Sequence, residues 1–189
     1  CLLFQIVFKN SSLKLMNKIL KISDRIKIFT LIRDIPYRLA NSSKDTSCIS
    51  KTKILGEFFQ RTGFEVRVAK CNFNWKTIGV PQAIINIRKK LNLNDASSHA
   101  FLRIFVPEIK AWASIDPTWD IGLKSKFPVA TWDGLHSTVL AVRTSGFKEM
   151  RKKNGFITPD NLSFPNFSED NKFISTFNQW LEKIRTKEK

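Results

Sequence analysis

Three side chains able to run nucleophilic acyl chemistry stand at informative places in the chain: Cys48, His99 and Asp116. Cys48 directly follows Thr46-Ser47, residue types that start helices, so it is predicted to sit in the first turn of one. A helix start carries unused N–H groups and partial positive charge, and both favour a thiolate, the reactive form of cysteine. The Cys48 N–H can also help hold an oxyanion. His99 opens an apolar run through Val106 after the polar loop Asn94-Asp95-Ala96-Ser97-Ser98, and Asp116 closes the next run, just before Pro117. A thiol, an imidazole that takes its proton and a carboxylate that orients the imidazole are the parts of thiol catalysis.

The elements that must position these groups follow from spacing. Leu15, Ile19, Ile22, Ile26 and Phe29 recur at helical steps, with Asp24 as a possible N-cap restart, and Arg33-Asp34-Ile35-Pro36 ends that helix. The polar stretch Asn41 to Ser47 reads as a loop, and a helix carrying Ile49, Leu55, Phe58 and Phe59 follows it and stops at Gly63. Phe64 to Val68 alternates as a strand does, and Pro81 opens a short helix to Leu91. The runs 99–106 and 111–116, separated by Pro107-Glu108-Ile109-Lys110, read as a β-hairpin. If Val106 pairs with Ala111, Asp116 falls opposite Phe101; a register tighter by two puts it opposite His99. Either places carboxylate and imidazole on one face, and a one-step slip separates them. A later strand is expected over Ser137 to Arg143, and a C-terminal amphipathic helix over about 171–186, with Phe173, Ile174, Phe177, Trp180, Leu181 and Ile184 on one side. Helices first and an antiparallel sheet after them give an α+β layout.

Here a family resemblance enters. Asp45-Thr46-Ser47-Cys48 with its following helix, Gly63 and Val66-Arg67 resembles the cysteine segment of transglutaminase-like domains. Ser98-His99-Ala100-Phe101-Leu102 is similar to their histidine strand, and Ile115-Asp116-Pro117-Thr118-Trp119 to their aspartate motif. The spacings, 51 residues (99 − 48) and 17 residues (116 − 99), fall in the family's ranges, and the resemblance covers roughly residues 31 to 145. The chain departs from the pattern at Thr46, where a glycine is usual, and at Ile49, where an aromatic is usual; both bear on substrate preference. The resemblance implies a papain-like core with N-terminal helices packed on an antiparallel sheet. It also implies a Cys48–His99–Asp116 triad acting on a peptide or protein amide, as peptidase, amidase or acyltransferase. No cofactor is expected, since the sequence has no Asp-x-Asp-x-Asp-Gly calcium loop.

Composition bounds the alternatives. The 189 residues suit one domain, taken here as 11–189, and a hydrophobic content of 42% is enough for a core. Cysteines 1, 48 and 71 form neither a disulfide framework nor a zinc knuckle, and with only two histidines a metal site is poorly supplied. Cytoplasmic placement is the expectation, with export the alternative if the apolar leader 1–10 is a truncated signal peptide; translation from Met16 is another account of that leader. No run approaches the ~20 apolar residues of a membrane span. The net charge of +16 is spread over Lys51, Lys53, Arg67, Lys89, Lys90, Lys110, Lys152 and Lys183 among others, so only weak, non-specific nucleic-acid binding is expected. The competing readings are an inactive transglutaminase-like binding module and a basic protein that binds nucleic acid or membrane surfaces. Cys71 reads as a packing thiol, His136 as a turn residue, and Arg151-Lys152-Lys153 as a solvated turn. Trp112, Trp119 and Trp132 read as core, one of them a possible cleft wall; Asn41, Tyr37 and Trp75 are candidates for a second oxyanion donor.

Overall fold

The computed structural model describes residues 20–41, 44–153, 155–162 and 171–187, so the leader 1–10, Leu15, Met16 and Ile19 lie outside the described residues. Within those residues the chain is mixed α and β, with four α-helices and a four-stranded antiparallel sheet. Helix α1 spans Ile22–Arg33. Its N-cap is Lys21, not Asp24; Asp24 lies in the first turn, where a carboxylate still complements the helix dipole. Helix α2 spans Cys48–Arg61, α3 spans Gln82–Lys90 and α4 spans Asn171–Lys187.

The strands are β1 (Val66–Asn74), β2 (Ala96–Val106), β3 (Ala111–Ile115) and β4 (Lys148–Glu149), in sheet order β3-β2-β1-β4. Two-residue strands β5 (Arg151–Lys152) and β6 (Gly155–Phe156) form a separate exposed hairpin where a simple turn was expected. The helices do not all precede the sheet: β1 lies between α2 and α3, and α4 follows the last strand.

Period-two alternation along β2 supplies two cores. Leu102, Ile104 and Val106 face a cluster with Leu55 and Phe59 of α2, Phe29 of α1, and Trp132. Phe101 faces a second cluster with Ala69 and Cys71 of β1, Trp75, Trp119, and Phe173, Phe177 and Leu181 of α4. Helix α2 fits closely on the sheet because position 56 is glycine. A Cβ there would come within 2.3 Å of Pro159 Cγ and 2.8 Å of Leu102 Cδ2.

The expected strand over Ser137 to Arg143 does not form. That segment is irregular, held by Thr138 N–H donating to Ser114 O (2.9 Å) and Ala141 N–H donating to Asp116 Oδ2 (2.7 Å). β3 is five residues long, so the segment bonds around its end and the Asp116 side chain in place of a full ladder. Among the described residues no helix is long and apolar enough to cross a membrane.

Candidate active site

Cys48 is the first residue of α2, and Ser47 is its N-cap. The Ser47 hydroxyl makes no capping bond to the helix. It donates instead to Asp45 Oδ2 (2.7 Å), which also accepts from Ser47 N–H (3.1 Å) and from the Ser50 hydroxyl, while Asp45 Oδ1 accepts from Ala40 N–H (3.2 Å). Burial, against those hydrogen bonds, raises the Asp45 pKa above its ordinary value. The cap is thus tied down from the side, and its hydroxyl does not cover the N–H groups of the first turn, where Cys48 sits half-buried. One turn further on, Thr52 Oγ1 donates to Ala100 O (3.1 Å) and brings the start of α2 alongside the start of β2.

His99 and Asp116 meet through the hairpin. The observed register pairs Val106 with Ala111 and Leu102 with Ile115, so its continuation sets Asp116 opposite Phe101, on the His99 face. His99 Nε2 lies 2.7 Å from Asp116 Oδ2, and both residues are almost fully buried. The same Oδ2 accepts from Ala141 N–H, Oδ1 accepts from Thr118 N–H (3.1 Å), and Asp116 N–H donates to Thr138 Oγ1 (3.0 Å). A carboxylate held by that many donors stays ionised. Burial alone would raise Asp116, but the His99 charge and these hydrogen bonds outweigh it and lower the pKa. Burial would likewise depress His99, yet the Asp116 charge and hydrogen bond, then a hydrogen bond to Cys48, raise it well above 6.5. With Nε2–H committed to Asp116, the neutral ring presents Nδ1 as the acceptor left for a thiol.

Cys48 and His99 line one cleft with Tyr37, Leu39, Ile49, Phe73, Trp75, Ile78, Ser97, Ser98, Thr118, Trp119 and Val142. Its cavity volume is about 70 Å³, a narrow slot. Of Trp112, Trp119 and Trp132, Trp119 is the one that walls the cleft; its Nε1 donates to Ala141 O (2.9 Å). Trp132 is buried in the α2-side core, and Trp112 lies under the Arg67 guanidinium, 4.0 Å from its ring centre. Of the candidates for a second oxyanion donor, Asn41 is not on the cleft and the Trp75 indole N–H is spent on Ser97 Oγ (2.9 Å); Tyr37 lines it.

Three arrangements escape a reading by sequence. Cys71 is the cross-strand partner of His99, so a second thiol lies beside the imidazole; burial raises its pKa, and it is 3% exposed. Lys51, one turn into α2, is fully buried, with Nζ donating to Arg33 O (2.7 Å) and Thr118 O (2.9 Å), and burial lowers its pKa to about 7. Helix α4 braces the slot wall: Asn178 exchanges two hydrogen bonds with the Leu39 backbone, and Arg185 bonds both Asp120 and Tyr37 O (3.0 Å). His136 stays outside the site, exposed and 2.7 Å from Asp133 Oδ2. Among the described residues no group of three or more His, Cys, Asp or Glu side chains is placed to hold a metal ion. Comparisons with protein-family models, with curated proteins and with solved structures find no match to this chain.

Proposed function

We propose that the protein is a thiol-dependent acyl-transfer enzyme acting on an amide bond, built on a transglutaminase-like, papain-related core. The observation that carries this reading is His99, buried between the Asp116 carboxylate and the half-buried Cys48 in one cleft. His99 Nδ1 takes the thiol proton, and Cys48 Sγ attacks the carbonyl carbon of the substrate amide. The N–H groups at the start of α2 receive the oxyanion, with Cys48 N–H the nearest donor. The C–N bond then breaks, the imidazolium gives its proton to the departing nitrogen, and a thioester remains on Cys48. Water attacking that thioester gives amidase or peptidase chemistry; an amine gives acyl transfer, and the same triad serves both. Asp116 holds the ring in the productive tautomer throughout and stabilises its positive charge. Two reduced thiols near one imidazole suit a reducing compartment such as the cytoplasm.

The test is iodoacetamide labelling across pH with peptide mapping, followed by incubation with a peptide amide panel in the presence and absence of a primary amine. Faster alkylation at Cys48 than at Cys71, with ammonia or a new amine adduct lost in Cys48→Ala, is the expected outcome. Equal, slow labelling of both thiols rejects the reading.

A further inference from the structure

The catalytic slot does not end at its own walls. Ile78 and Val142 line both the slot and a second, larger cavity of about 680 Å³. One wall of this groove is the turn Thr77–Gly79, where Gly79 has φ +81° and faces the Lys126 carbonyl. The other wall is the 139–144 segment, which Ala141 ties to the triad carboxylate through its N–H and to Trp119 through its carbonyl. A ligand in the groove therefore lies against the same strip of chain that orients His99.

The lining chemistry is one-sided. Lys126 and Arg143 are exposed at the groove, and among the described residues no aspartate or glutamate lines either cavity. Among the described residues neither cation makes an ion pair. Several cations outside the groove are matched internally, Arg25 with Glu108, Arg67 with Glu65 and Glu149, Lys76 with Asp95, Arg185 with Asp120, whereas Lys126 and Arg143 share one concave lining beside the slot. The same groove is lined by apolar side chains, with Val139 53% exposed, Leu140 and Pro128, and Phe127, which stacks on Trp119 at 4.0 Å. Two exposed cations and apolar side chains in one groove, adjoining a nucleophile's slot, fit an extended chain that carries carboxylates beside apolar side chains.

We propose that this groove is the recognition subsite of the enzyme and takes an acidic peptide segment of the amide substrate, its carboxylates on Lys126 and Arg143 and an apolar side chain on Val139 and Leu140. The proposal rests on the thiol-enzyme reading and deepens it by naming a substrate class. The experiment uses the full chain carrying Cys48→Ala, which prevents turnover, and short rhodamine-labelled peptides with either glutamate or glutamine around a central leucine, read by fluorescence anisotropy. The glutamate peptide is expected to bind about tenfold tighter, the scale of two rim charge pairs, with the preference falling to about twofold or less at about 0.5 M salt. The preference should vanish in Lys126→Gln/Arg143→Gln and persist in Lys183→Gln, a change on the exposed face of α4. Equal affinity for the two peptides, no binding of either, or an unchanged preference in the double variant overturns the proposal. So does a single-stranded oligonucleotide that displaces the glutamate peptide with equal or better affinity. Alkylation of wild-type Cys48 no faster than of Cys71 rejects the catalytic reading instead, and the anisotropy result still decides whether the groove selects acidic peptides.

Discussion

Asp116→Asn tests the core of the site with the smallest change of shape. In the native protein Oδ2 accepts from both His99 and Ala141 N–H, while Oδ1 accepts from Thr118 N–H. Asparagine has one acceptor oxygen. If that oxygen faces His99 and Ala141, the amide NH₂ meets the Thr118 N–H, donor against donor. If it faces Thr118, the NH₂ meets His99 and forces the ring to carry its proton on Nδ1, so the acceptor for the thiol is lost. Charge-assisted hydrogen bonds contribute about 1.5–3 kcal/mol and neutral ones about 0.5–1.5, so weakening two and orphaning one buried donor costs about 2–5 kcal/mol of stability. The imidazolium loses the carboxylate that holds its pKa up, and a loss of about 1.5–3 kcal/mol lowers it by about 1–2 pH units. Rate should fall about 10²–10⁴-fold, the contribution of a general base. The chain has only two histidines, so the ¹³Cε1 resonance of His99 is assigned by comparison with His136→Gln. A titration of that resonance in both proteins, with the alkylation rate of Cys48 against pH, is the assay. A His99 midpoint that stays put in Asp116→Asn, with an unchanged Cys48 labelling profile, refutes the proposed coupling.

Three other outcomes are expected. Cys71 should resist alkylation in the folded protein, being 3% exposed with its pKa raised by burial, and become reactive in urea; rapid native-state labelling of Cys71 contradicts this. Lys51 has a folded pKa of about 7 against 10.5 when unfolded. The unfolded chain therefore binds the extra proton between those values, and Lys51 adds stability as pH rises through that window, at up to about 1.4 kcal/mol per pH unit. His99, whose pKa is raised, contributes the opposite sign, its stabilisation being lost as pH rises from 6.5 through its folded pKa. The wild-type minus Lys51→Met difference in urea stability at two pH values isolates the lysine, and a pH-independent difference counts against its buried, depressed state. Gly56→Ala should destabilise by up to about 2 kcal/mol net, because overpacking against Pro159 and Leu102 costs about 1–3 kcal/mol against a helix-propensity gain of about 1. A rise in melting temperature would show that α2 can move away from the sheet.

What the sequence alone determined was local. A polar stretch ending in Thr46-Ser47 marks a helix start, so Cys48 is placed in the first turn by its immediate neighbours. His99 and Asp116 share a face because a short loop joins their strands, and loop length with side-chain alternation leaves few registers; the one observed, Val106 with Ala111, is among the two expected. The C-terminal helix, expected over about 171–186 and found over Asn171–Lys187, was legible from its apolar spacing. The tertiary structure decided what depends on pairings between distant segments. β1 meets β2 across an intervening helix, so only the fold could set Cys71 opposite His99. The 137–143 segment has the apolar content of a strand, but its hydrogen bonds go to Ser114 and the Asp116 side chain, a choice no local pattern encodes. Lys51 looks like a solvated helix lysine until α1 and the 116–119 turn close over it and offer two carbonyls. The brace from Asn178 and Arg185 to Leu39 and Tyr37 joins residues more than a hundred positions apart, and only the fold brings Lys126 and Arg143 to the lining of one groove. Spacing within one element or hairpin is set by bond geometry, and contacts between remote elements are set by how their apolar faces find one another.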